Sequence, residues 1–212
     1  MHTSPSRISG ITEFLTRHHT LIGAYLLTWW FLDILLTIRY DHLFQLLWFC
    51  DFIFPLVGVA FIYGSSMIAT GVLSGALVAQ TPWVVDFLTS RITGTPLLGL
   101  TSYMSQYGHG LRFWVEMNHL VIIPASILAV AAFGVSRHGH IVSWGVGGLM
   151  LLLSSLLSNP AENVNCLQHF CWASTTSIPH FPLVFSIGVL SLISLMNLTL
   201  FHFFGSPKKT SF

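Results

Sequence analysis

FPLVFSIGVLSLISLMNLTLFHFF, from Phe181 to Phe204, contains no Asp, Glu, Lys or Arg. About 20 mostly apolar residues are needed for a helix to cross the hydrocarbon core of a bilayer, so this stretch predicts a membrane span. The apolar run is too continuous for barrel strands, which alternate in segments of about 10 residues. Asn197-Leu-Thr inside it matches a glycosylation pattern, but a membrane span makes that site unusable. Five further stretches read the same way, at roughly 20–38, 43–63, 66–88, 113–135 and 140–158.

Composition agrees. Of the 212 residues, 53% are hydrophobic and 7% charged, against roughly 25% charged in a soluble domain. Mean hydropathy is +0.74. A soluble globular protein and a disordered chain are excluded. Nucleic acid is excluded as a partner too, because 8 Lys and Arg give no basic surface to neutralise phosphates. The expected fold is all-α, a polytopic membrane bundle of about six helices. Residues 1–19 form an N-terminal tail, 20–204 a single transmembrane domain and 205–212 a C-terminal tail. The first stretch holds Asp33 and lacks a small-residue cleavage site after it, so it reads as a retained span rather than a signal peptide.

Arginine and lysine near the helix ends set orientation. Arg7, Arg17, Arg137, Lys208 and Lys209 fall on one side, and Arg39, Arg91 and Arg112 on the other. This favours both termini inside, with the loops at 89–112 and 159–180 outside. Cys50 lies in a span and reads as a small buried apolar residue. Cys166 and Cys171 share the outer loop, either as a disulfide or as two free thiols, since spacing alone does not fix the geometry.

Ionisable groups are costly in a membrane and face the bundle interior or a water-filled cavity. Helix alternation puts Asp33, Asp51, Asp86, Glu116 and His119 at one depth, in the outer half of the bilayer. Gln80 lies a little deeper, and Glu162, Asn163, Asn165 and His169 lie in the loop above. These residues predict one polar pocket. Trp30–Asp33, Trp48–Asp51 and Trp83–Asp86 repeat W-x-x-D, and residues three apart share a helix face. Each indole is placed to wall the pocket or to donate to the carboxylate, although tryptophan also gathers at membrane interfaces for its own sake. Glu116 and His119 form E-x-x-H, which in carboxylate-bridged bundles binds metal. They are therefore candidate ligands of a divalent metal. A metal-free proton-handling pair and a structural hydrogen-bonded pair are the alternatives. No zinc motif of the HExxH or paired CxxC kind is present.

The segment from Asn159 reads Asn-Pro-Ala-Glu-Asn-Val-Asn-Cys. Pro160 ends the preceding helix, and Glu162, Asn163 and Asn165 either cap that helix or cover the pocket and bind substrate. Tyr103 is expected at headgroup level. Ser102 could be a nucleophile only if paired with His109 or His119, since no activating partner stands at close spacing. Gly71 and Gly75 form GxxxG, a close-approach face. Gly145, Gly147 and Gly148 are expected to act alike. Pro55, Pro82 and Pro124 are expected to kink their helices and free carbonyls near the pocket. The two halves of the chain are unlike, which weighs against the inverted repeats common in transporters.

Leu46-Leu-Trp-Phe-Cys-Asp, Gln80 with Trp83 and Asp86-Phe-Leu, Thr101-Ser-Tyr-Met, His119 and Pro160-Ala-Glu-Asn-Val-Asn together resemble a family of bacterial polytopic inner-membrane proteins that carries no established activity. The resemblance spans about residues 30–166. The chain departs from it at Ala161 and Cys166, where the family has an acid and a tryptophan. The resemblance implies a bacterial inner membrane and the grouping of these residues, and it adds no reaction.

The expected function is an enzyme acting on a lipid or lipid-linked substrate. Asp33, Asp51, Asp86, Glu116 and His119 would be catalytic, with Gln80, Trp83, Tyr103, Glu162, Asn163 and Asn165 binding substrate. Crowded carboxylates beside a histidine would supply an acid and a base in one site, His119 being the proton shuttle near neutral pH. A proton-coupled transporter and a non-catalytic subunit of a membrane complex are the alternatives. Membrane lipids are the expected partners, and the sequence leaves the oligomeric state open.

Overall fold

A computed structural model describes residues 7–40, 46–107, 110–158, 163–171 and 178–205. Among these the chain is all-helical and has no strand. The helices are α1 (Arg7–Tyr40), α2 (Phe49–Tyr63), α3 (Ser66–Thr93), α4 (Leu111–Glu116), α5 (Asn118–Phe133), α6 (Gly139–Leu157) and α7 (Phe181–Phe204). Short 3₁₀ turns occupy Ser102–Tyr107 and Val164–Cys166. Five segments are long and apolar enough to cross a membrane: α1, α3, α4 with α5, α6 and α7. The chain is an integral membrane protein of the all-α polytopic class.

Two elements differ from the sequence expectation. Helix α1 begins at Arg7, well before residue 20, and its 34 residues extend about 51 Å at 1.5 Å per residue. Helix α2 has 15 residues, about 22 Å, which is short of the roughly 30 Å hydrocarbon core. It starts at Phe49 because its first N–H is satisfied there by a loop residue: Phe49 N–H donates to Asn165 Oδ1 at 2.8 Å. Its far end is set by Gly64, a left-handed C-cap (φ 58°) whose N–H bonds the carbonyls of Ala60 and Phe61. Glycine adopts that conformation without a Cβ penalty. Ser65 then caps α3 by accepting from the Ile68 N–H. A two-residue turn at Gly64 and Ser65 therefore joins α2 to α3.

Lipid tails are as apolar as leucine, so helix association in a membrane depends on close packing and polar contacts. Gly23 of α1 and Gly58 of α2 face each other so closely that a Cβ on Gly23 would lie 2.6 Å from the Gly58 carbonyl oxygen. A Cβ on Gly139 of α6 would lie 2.7 Å from the Gly71 nitrogen, and one on Gly75 would lie 2.8 Å from Ile53. The GxxxG of α3 thus serves two partners, α6 through Gly71 and α2 through Gly75. Gly147 packs near Phe49, whereas a Cβ on Gly145 or Gly148 would meet nothing within 4 Å among the described residues, so these two are not close-approach positions. Helices α1, α2, α3 and α5 enclose the main core, built on Leu26, Phe54, Phe61, Val72, Ile122 and Ala129. Pro55, Pro82 and Pro124 all lie inside continuous helices.

Polar contacts tie each end of the bundle. At the Gly64 end, His19 Nδ1 pairs with the Phe61 carbonyl at 2.7 Å, Ser136 N–H donates to Thr70 Oγ1, and Asn197 Nδ2 donates to the Arg137 carbonyl. The opposite end holds the loops that follow α3 and α6. There Cys166 and Cys171 are joined by a disulfide, with their Cα atoms 5.0 Å apart.

Candidate functional site

The candidate residues meet at the end of the bundle that carries the disulfide. Arg112 opens the site from the first turn of α4. The i, i+4 spacing puts it on the same face as Glu116, and its Nη2 lies 2.6 Å from Glu116 Oε1. Its Nη1 bonds Asp33 of α1. Asn118 Nδ2 donates to the other Asp33 oxygen at 2.8 Å. All four side chains are buried. The guanidinium fork can hold two carboxylates at once because its donors diverge in a fixed plane. One arginine thus clamps an acid from α1 and an acid from α4.

The second oxygen of Glu116 faces aromatic groups. Tyr103 Oη donates to Glu116 Oε2 at 3.2 Å, and Trp83 Nε1 donates to Tyr103 Oη at 3.2 Å. Burial first, and the Glu116 charge second, push the Tyr103 phenol above its ordinary value. Trp83 also stacks on the His119 ring, with centroids 4.5 Å apart and planes 26° apart.

The backbone breaks between α4 and α5, and the break positions His119. Leu120 N–H bonds the Met117 carbonyl at 3.0 Å rather than that of Glu116. The Glu116 carbonyl meets His119 Nδ1 at 3.0 Å. A carbonyl only accepts, so Nδ1 carries the hydrogen and Nε2 keeps the lone pair. The expected E-x-x-H pairing is present as well, with Nδ1 3.5 Å from Glu116 Oε2.

Asp51 lies in the first turn of α2, where its main-chain carbonyl accepts from Trp30 Nε1 at 2.8 Å. Among the described residues nothing donates a hydrogen bond to its carboxylate. A carboxylate oxygen of Asp51, the Sγ of Cys50 and a ring nitrogen of His119 all lie within 4.8 Å of one another. Glu116, the other expected metal ligand, has both oxygens engaged, by Arg112 and by Tyr103.

Other expected members serve the scaffold. Asp86 is fully buried and accepts from the Leu98 N–H, the Thr101 N–H at 2.8 Å and Thr101 Oγ1 at 2.9 Å. It closes the turn after α3. Asn165 caps α2 and also donates to the Leu47 carbonyl and Ser154 Oγ. Asn163 Oδ1 accepts from the Gln168 and His169 N–H groups, shaping the disulfide loop. Gln80 is buried, and its Nε2 has no hydrogen-bond partner among the described residues. Ser102 is exposed and donates to the Gly99 carbonyl. Glu162, His109 and Asn159 to Ala161 lie outside the described residues. In the W-x-x-D pairs, Trp30 and Trp83 donate to Asp51 O and Tyr103 Oη rather than to their own aspartates.

Three members were not singled out from the sequence. The Arg112–Glu116 spacing could have revealed Arg112, which was read only as an orientation marker. Asn118 stands between Glu116 and His119. Cys50 adjoins Asp51, and its approach to His119 depends on how α2 is rotated against α5. Two apolar clefts lie elsewhere, one bordered by His140, Trp144 and Ser194 and the other by Leu151, Leu167 and Pro182. Neither is lined by a candidate residue. In comparisons with family models, curated proteins and solved structures, the chain matches none, so the family resemblance carries no further weight here.

Proposed function

We propose that this integral membrane protein is an enzyme acting on a lipid or lipid-linked substrate by hydrolysis or group transfer. The observation that carries the proposal is His119. Its ring is buried, its tautomer is fixed by the Glu116 carbonyl, and its lone-pair Nε2 is turned away from that anchor. Such a nitrogen takes a proton from water or from a substrate hydroxyl, which is general-base work. Holding the base in one orientation lowers the cost of reaching a reactive geometry. Arg112 neutralises the adjacent acids and keeps the base from facing two bare carboxylates.

The proposed setting is a bacterial inner membrane with both termini cytoplasmic. Lysine and arginine bias supports that orientation. The Cys166–Cys171 disulfide supports it too, since disulfides persist on the oxidising side of a membrane, and that loop belongs to the same end as His119. The test is comparative lipid analysis of membranes from cells expressing wild type, His119→Ala and Asp51→Asn, with each protein checked for monodispersity in detergent. A lipid species that changes with wild type and not with either variant is the expected result. Unchanged lipids in all three, with folded protein, would sink the proposal. A pH-gradient-driven flux in proteoliposomes would assign a transporter instead.

A further inference from the structure

We propose that Cys50, Asp51 and His119 bind one zinc-class divalent ion. The site would take the same His119 lone pair that serves as base in the enzyme proposal, so with an ion bound the base would be a metal-held water instead; ion binding itself is tested whether or not the protein turns over a lipid.

Geometry comes first. The three donor atoms come from α2 and α5 and lie within 4.8 Å of one another. Zinc bonds of about 2.0–2.3 Å place the ligand atoms of a tetrahedral site roughly 3.5 Å apart. Side-chain rotation of about an ångström closes that gap. The histidine is already prepared: metal-bound imidazoles donate their other N–H to a carbonyl or carboxylate, and His119 Nδ1 does so to the Glu116 carbonyl.

Charge comes second. Cys50 and Asp51 are half-buried and His119 is buried, and a charge drawn out of water is stabilised by pairing or by a metal. The carboxylate of Asp51 accepts no hydrogen bond from the described residues, and Arg112 bonds Asp33 and Glu116. A thiolate from Cys50 and the Asp51 carboxylate together carry two negative charges, which one divalent ion balances. A second ion beside Glu116 would meet the Arg112 guanidinium, so the carboxylate-bridged pair suggested by E-x-x-H is disfavoured.

Ligand type comes third. A sulfur, nitrogen and oxygen set suits zinc and disfavours magnesium and calcium, which prefer oxygen alone. Three protein ligands leave one position open for water or substrate, the pattern of catalytic rather than structural zinc sites.

The chain contains 3 cysteines, two of them in the disulfide, so a thiolate signal reports Cys50 alone. The test is cobalt titration of the full-length, chelator-stripped protein in detergent, with elemental analysis of protein purified without chelators. Wild type is expected to bind one ion per chain, with the near-ultraviolet absorption of a cobalt–thiolate bond, displaced by zinc. Cys50→Ser should lose that absorption. Asp51→Asn and His119→Ala should weaken binding at least about tenfold. Glu116→Gln keeps the main-chain carbonyl and should keep one ion. Because a variant can fail to fold, maleimide labelling of wild-type Cys50 is measured with and without zinc, and zinc should protect it. Any of three results overturns the site: no ion bound by wild type, equal labelling with and without zinc, or metal lost in Glu116→Gln but retained in Cys50→Ser.

Discussion

Arg112→Met is the most informative perturbation of the polar cluster. The change keeps an unbranched apolar stem of similar length and removes the guanidinium. It leaves Asp33 its Asn118 contact and Glu116 its contacts with Tyr103 and His119, but no guanidinium between them. Both carboxylates are buried. Removing one partner of a buried ion pair costs about 3–5 kcal/mol, because the remaining charge is uncompensated. On soluble-protein scaling, a chain of this size loses roughly 2–4 °C of Tm per kcal/mol. A fall of roughly 6–20 °C in Tm is therefore expected, read by tryptophan fluorescence in detergent. The diagnostic variant is the triple Arg112→Met, Asp33→Asn, Glu116→Gln. Neutral amides no longer need a counter-ion, so the triple should recover most of the lost Tm. The clamp would be refuted by a single variant within about 2 °C of wild type, or by a triple as unstable as the single.

Asp86→Asn removes one of the two oxygens that bind the 98–101 turn, and should cost about 1–3 kcal/mol with faster amide exchange at Leu98 and Thr101. Asn165→Ala leaves the Phe49 N–H without its partner and the Leu47 carbonyl with the longer 3.4 Å contact from Ser154 Oγ, and should lower thermal stability by about 1–3 kcal/mol, with no ligand present. Asn165→Asp keeps the acceptor for Phe49 and should recover part of the loss. Gly139→Ala puts a Cβ 2.7 Å from the Gly71 nitrogen and should destabilise the α3–α6 contact by about 1–3 kcal/mol. Gly145→Ala meets nothing within 4 Å and should change thermal stability by less than about 0.5 kcal/mol.

Helix existence was legible because a membrane admits few alternatives: long apolar runs without charge must satisfy their own backbone. The extent of α1 and α2 was less so. Arg7 to His19 is polar enough to read as a tail, yet α1 runs through it, with His19 anchored on the Phe61 carbonyl. Helix α2 starts late because of a cap from Asn165, more than a hundred positions away in sequence. In the site, the Glu116–His119 spacing was legible because residues three apart share a face. Placement by depth also brought Asp33 and Asp51 to the same end. Depth also put Asp86 at that end, but did not show that its carboxylate binds main-chain N–H groups of the following turn, because such donors leave no mark in a sequence. It also passed over Arg112, since a charge at a helix end looks like a topology signal until the facing acid is known.

The clamp and the proposed metal site meet at one residue. Glu116 gives its side chain to Arg112 and Tyr103 and its main-chain carbonyl to His119. The break between α4 and α5 falls just after Glu116 and brings that carbonyl to the imidazole. Loss of the clamp should therefore disturb the orientation of His119 without removing any metal ligand. Arg112→Met is expected to weaken cobalt binding while keeping the thiolate absorption at saturation, because Cys50 is untouched. Cys50→Ser is expected to abolish that absorption while leaving the Arg112 pairs and their contribution to Tm intact. If Arg112→Met left cobalt affinity equal to wild type, His119 would be held by its stacking on Trp83 rather than by the break. The clamp would then serve only to join α1 to α4.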